Sequence, residues 1–136
     1  MKTMTTKPKL AVPTKAQFRA YLQTLAFNEV SRFCKSGRCP LAQYIADNST
    51  GFPKDTHFLV DNTIRAVDES GIVKGMVATI IAYRAVPEWA KRFIHNVDFL
   101  DVQKSKALGY PPTWSAITPY EALVALDFPG KMTVAV

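Results

Sequence analysis

Cysteine is scarce in this chain. Only Cys34 and Cys39 occur among its 136 residues, which argues against a disulfide-stapled secreted scaffold. Long apolar runs are missing too. The longest is broken by Thr79 and closed by Arg84, well short of the roughly 18 apolar residues that a membrane helix requires. The opening MKTMTTKPKLAVPTK is basic and polar, without the apolar core of a secretory signal, and it is poor in arginine for a mitochondrial presequence. A cytoplasmic protein without a membrane partner is the expectation. No Gly-rich phosphate loop, H-E-x-x-H, G-x-S-x-G or dinucleotide-binding glycine pattern occurs. No catalytic residue is therefore assigned, no cofactor is expected, and the chain reads as a non-enzyme.

Acidic residues are nearly absent from one end. Residues 1–38 hold eight basic side chains against Glu29 alone, a net +7, whereas residues 39–136 hold nine basic and ten acidic, a net −1. The entire +6 excess thus lies in the first 38 residues. Such asymmetry is the electrostatic footprint of a polyanion binder. Lys7, Lys9, Lys15, Arg19, Arg32, Lys35 and Arg38 are the candidate contacts, with Lys2 further out. The plainer alternative is a solubilising tail on a neutral domain.

With 48% hydrophobic residues the chain has material for a core, and intrinsic disorder of the whole is disfavoured. Residues 1–13, punctuated by Pro8 and Pro13, read as a flexible basic arm. Residues 14–136 read as one globular domain. Thr14 is a plausible N-cap for a helix ending near Asn28, in which Phe18, Tyr21, Leu22 and Leu25 recur at i, i+3, i+4 and i+7. Pro40 suits the first turn of a second helix, with Cys39 at or beside its N-cap and Leu41, Tyr44 and Ile45 as its buried stripe. HFLVD and TIRAVD read as strands, DESG as a hairpin turn, and GIVKG with MVATIIAYRA as the returning arm. Val77–Tyr83, apolar on both faces, has the pattern of a buried central strand. Pro87 opens a helix with Trp89, Phe93, Val97 and Leu100 on one face, and Asp98 and Asp101 as solvated charges. VQKSKALGYPPTW reads as a loop. T-P-Y-E, Thr118–Glu121, is a capping box for a last helix that stops before Phe128. The predicted architecture is α+β: two N-terminal helices, a small antiparallel sheet of two or three strands, and two C-terminal helices.

The stretch SRFCKSGRCPLAQYI, Ser31–Ile45, holds both cysteines at Cys-x4-Cys spacing. With His57 and His95 they make the count for a Cys2His2 zinc site, but structural zinc modules use shorter, regular spacings. A thiolate at Cys39 has one argument for it, a helix N-terminus beside Arg38. Free cysteines are most often small buried hydrophobes, so the stretch reads as a structured basic turn. Neither histidine has a nucleophile or orienting partner nearby in sequence.

Basic and aromatic residues alternate at Phe18-Arg19-Tyr21, Arg32-Phe33, Tyr83-Arg84 and Lys91-Arg92-Phe93. Such mixtures can bind phosphates and stack on bases, although most of these rings fall on apolar faces suited to the core. The first two predicted helices are too far apart for a helix-turn-helix, so binding would be led by the phosphate backbone. A second reading places the binding energy in an aromatic patch around Tyr110 and Trp114 of YPPTW, directed at a host protein such as a defence or replication factor. A third uses the Cys and His residues for zinc or thiol chemistry.

CPLAQYI, followed by P-x-W-A-x-R-F-I-x-x-V-D and I-T-P-x-E-A-L-x-A-L, resembles a set of small proteins of bacterial phages, plasmids and genomic islands. The similarity runs over about residues 30–127. The resemblance implies a mobile-element setting. It brings no activity and no functional residues with it.

Overall fold

The computed structural model describes residues 7–25, 40–69, 78–109, 111 and 117–134. Along the chain run α1 (Lys15–Gln23), α2 (Pro40–Asn48), β1 (Thr56–Val60), β2 (Thr63–Asp68), β3 (Thr79–Ala85), α3 (Glu88–Leu108) and α4 (Pro119–Asp127). This is the expected α+β order, with helices on either side of an antiparallel sheet in the sequence. The chain divides into two compact units. One joins Met1–Pro13 to Leu41–Val86, and the other joins Thr14–Pro40 to Pro87–Val136.

In the first unit the sheet order is β1-β2-β3, antiparallel throughout. Asp61 and Asn62 turn β1 into β2, and the Asp61 carboxylate accepts the Thr63 N–H at 3.2 Å. The central strand is β2. Its Ile64 and Ala66, two residues apart and so on one face of the sheet, are fully buried. The apolar run that resembled a central strand is instead β3, at the edge. Ile80 is 55% and Tyr83 73% exposed, so composition alone misplaced it in the sheet. The register shifts between Ala66 and Val67, which leaves Ile81 of β3 as an extra residue without a partner on β2. Residues 9–11, expected in the flexible arm, are tied down. Lys9 and Thr50 exchange backbone hydrogen bonds of 2.9 and 3.3 Å, the Ala11 N–H donates to Ser49 Oγ, and Leu10 is buried. Unpaired backbone groups at the α2 exit recruit this segment.

In the second unit α4 lies against both α1 and α3. Phe18 of α1, fully buried, meets Phe93 of α3 edge-on at a centroid separation of 5.0 Å and lies 5.7 Å from Trp89. The predicted N-cap at Thr14 is present, with a complete capping box to Gln17. Thr118 and Glu121 likewise cap α4. The α3 helix continues beyond the expected loop start at Val102, through Leu108, and ends on Gly109 at φ 77°. Asp101, expected in solvent, is buried and accepts a hydrogen bond from Ser105 Oγ at 3.1 Å. Asn96, also fully buried, donates to the Ala125 and Gly130 carbonyls and accepts from the Met132 N–H at 2.7 Å. It thereby holds the chain beyond α4 against α3. No regular element is assigned to 131–134.

Candidate functional site

The polyanion candidates fall into three groups. Lys7 and Lys9 belong to the first unit and Lys15 and Arg19 to the second. Arg32, Lys35 and Arg38 lie outside the described residues, as do Tyr110, Trp114, Cys34 and Cys39. Lys7 and Lys9 flank the start of the anchored segment, and both are exposed. Lys15 is exposed on the first turn of α1. None of these three lysines has an ion-pair partner among the described residues. Arg19 differs. Its Nη1 lies 2.6 Å from both carboxylate oxygens of Asp127 on α4, so its charge is locally matched. The pair is partly exposed, at 45% and 41%, and contributes no more than about 1 kcal/mol. Its larger effect is to align the outer edges of α1 and α4.

Between those edges runs an open groove of about 510 Å³, lined by Arg19, Gln23, Tyr120, Leu123, Val124, Asp127 and Phe128. Tyr120, Val124 and Phe128 follow one another at intervals of four, the repeat of a helix face. They remain 58%, 42% and 41% exposed. Of the apolar residues between them, Leu126 is buried and Leu123 half-buried. The i, i+4, i+8 repeat of Tyr120, Val124 and Phe128 was the available signal for a shared apolar face, whichever way it points.

The basic and aromatic alternation does not form a platform at Tyr83-Arg84. Neighbours in a strand point to opposite faces. Tyr83 is instead the cross-strand partner of Arg65 on β2, and Arg65 is in turn opposite Leu59 on β1. Arg65 is engaged by Asp61. Phe18 and Phe93 are core residues, as the apolar-face reading expects.

The two histidines stand in different units and are used locally. His57 Nε2 lies 3.3 Å from Glu69 Oε2, both partly exposed. His95 Nε2 is 2.9 Å from the Met132 carbonyl, which only an Nε2–H can serve as donor. Among the described residues no group of three or more His, Cys, Asp or Glu side chains is arranged to hold a metal. The four-residue zinc set includes Cys34 and Cys39, which lie outside the described residues. No described helix is long and apolar enough to cross a membrane.

One carboxylate has a displaced titration. Burial works to raise the pKa of Glu121. Hydrogen bonds from Lys104 Nζ, at 2.6 Å, and from the Thr118 backbone and hydroxyl outweigh it, and the net shift is below the ordinary 4.5. This cluster caps a helix and joins α3 to α4, which is a structural use.

No protein-family model, curated protein or solved structure matches the chain.

Proposed function

We propose that this chain is a small non-enzymatic binding protein that associates with nucleic acid or a nucleoprotein complex through its basic N-terminal region. The observation that carries the reading is the charge asymmetry, a net +7 in residues 1–38 against −1 in residues 39–136. Lys7, Lys9 and Lys15 are exposed and carry no ion pair among the described residues. Arg19, Arg65, Lys91 and Lys104 are each matched by a carboxylate within 4 Å. Unmatched cations are the ones that release counterions from a phosphate backbone. A setting on a mobile element rests on the resemblance of residues 30–127 alone.

Fluorescence anisotropy with short labelled single- and double-stranded nucleic acids, at low and at physiological salt, tests this. Binding that weakens steeply with salt, and weakens again when Lys7, Lys9 and Lys15 become glutamine, supports the reading. Absence of binding at low salt sinks it.

A second reading is favoured by the exposed Tyr120-Val124-Phe128 face of α4. Here the chain binds and modulates a host protein, with rings and apolar side chains supplying the energy. Capture of one stoichiometric protein, insensitive to nuclease and lost on Val124→Asp, is the expected result. Capture unchanged by Val124→Asp removes it.

A further inference from the structure

Residues 39–136 carry a net −1, yet folding assembles a cationic cluster within them, on the second unit. His95 and Asn96, neighbours on α3, both grip the segment after α4. Asn96 holds the Gly130 carbonyl and the Met132 N–H, and His95 Nε2 lies 2.9 Å from the Met132 carbonyl. Lys131 falls between the two held residues and is exposed. Arg92, also exposed, precedes His95 by three residues and Asn96 by four. It therefore stands one turn away on the flank of α3 that carries the held segment.

The described carboxylates of this unit do not neutralise the cluster. Neither Arg92 nor Lys131 has an ion pair among the described residues. Glu88, one turn before Arg92, is 3.2 Å from Lys91 Nζ instead. On α4, Glu121 is held by Lys104 and Asp127 by Arg19. Asp101 is buried with Ser105. Asp98 follows His95 by three residues, which puts it on the opposite flank from Arg92.

We infer that Arg92, His95 and Lys131 form a second phosphate-contact site for a nucleic-acid backbone, on the unit that also carries Lys15. This site rests on the polyanion reading and deepens it, because contacts then come from α3 and the segment after α4 as well as from the N-terminal region. Arg92 offers phosphate a planar fork of N–H donors, and Lys131 a mobile point charge. His95 adds a third charge once protonated. Its Nε2–H is given to Met132, so a proton taken up at Nδ1 leaves that bond in place and turns Nδ1 from acceptor to donor.

The test is fluorescence anisotropy of the full chain with a labelled duplex over a salt series, at about pH 7.5 and about pH 5.5, values that bracket the ordinary imidazole range. The double variant Arg92→Gln, Lys131→Gln should bind more weakly at the higher pH. Its slope of log affinity against log salt should be smaller by about 1.8, two contacts at about 0.9 each. Wild-type affinity should rise at the lower pH, and His95→Gln, whose amide can still donate to the Met132 carbonyl, should remove that rise. Lys54→Gln with Lys106→Gln removes the same charge from exposed positions elsewhere and should have the smaller effect. Absence of wild-type binding at low salt removes the polyanion reading and this site together. Wild-type binding that the Arg92, Lys131 pair does not alter, or alters no more than the Lys54, Lys106 pair, overturns the site and leaves the N-terminal contacts standing. A rise at low pH that survives His95→Gln likewise overturns it.

Discussion

At the scale of single residues, the polar side chains in the core are the informative ones. Asn96 interrupts the apolar face of α3 and makes three hydrogen bonds there, two as donor and one as acceptor. Replacing it with alanine leaves the Met132 N–H and two carbonyls without their partner in a buried setting. Each such orphan costs about 1–3 kcal/mol. Asn96→Ala should therefore lower the unfolding free energy by at least about 2 kcal/mol, read from urea titrations. A loss below about 0.5 kcal/mol would mean that the segment after α4 is not held by this residue. Glu121 makes a prediction in pH. Its folded pKa lies below 4.5, so the unfolded chain binds its proton first as pH falls. The stabilisation is complete above the unfolded value and is lost as pH drops through the folded one. Glu121→Gln should remove part of the stability above about pH 5 and flatten the profile below it. Parallel profiles for the two proteins would refute the coupling.

At the scale of elements, the ends of helices and the position of one strand carry the lesson. Besides Asn96, the buried positions of α3 follow a regular spacing: Ala90, Phe93, Val97, Asp101 and Ser105. The first three are apolar and read as a helix; Asp101 reads as a solvated charge at its end and Ser105 as part of a loop, although the stripe continues through both. Gln103, Lys104, Lys106, Ala107 and Leu108 are all good helix formers, and this was the signal that polarity obscured. Gly109 ends the helix in the left-handed region with nothing within 4 Å of where a Cβ would stand. Gly109→Ala should cost about 1 kcal/mol, all of it backbone conformation. Thr118→Ala should cost a similar ~1 kcal/mol through the lost cap of α4. Thermal unfolding of both variants checks these values, and an unchanged midpoint in either would show that the helix end does not depend on that residue. For β3 the opposite error holds. Apolar residues on both faces of a strand resemble a buried centre, but neighbours decide burial, and β3 has a neighbour on one side only.

At the scale of the whole molecule, the charge distribution is the main functional clue. The excess in residues 1–38 is a property of the sequence, yet its members are not equivalent once folded. Arg19 is matched by Asp127 across two helices 108 residues apart in the chain, whereas Lys15, one turn earlier on α1, has no ion pair among the described residues. Lys15→Gln should therefore weaken polyanion binding more than Arg19→Gln does. The slope of log affinity against log salt should fall by about 0.9 for each duplex phosphate contact removed. Equal effects of the two substitutions, or none, would show that the unmatched lysines are not the contacts.

The sequence by itself determined the class, the element order and the capped starts of α1 and α4. Periodicity and capping are local, and Thr14 with Gln17 or Thr118 with Glu121 need no distant partner. It also determined where the positive charge lies. What only the tertiary structure decided depends on contacts far apart in the chain: that residues 9–11 bind beside Ser49 and Thr50, that Asp101 is buried, that β2 and not β3 is central, and that Arg19 meets Asp127. Tyr120, Val124 and Phe128 stand in the same position. Their spacing defines a face, but only the placement of α4 against α1 and α3 turns that face to water. A helix face or strand has the same sequence pattern whichever side it presents. Its neighbours, brought together by folding, settle which side meets solvent and so which surface is free to bind.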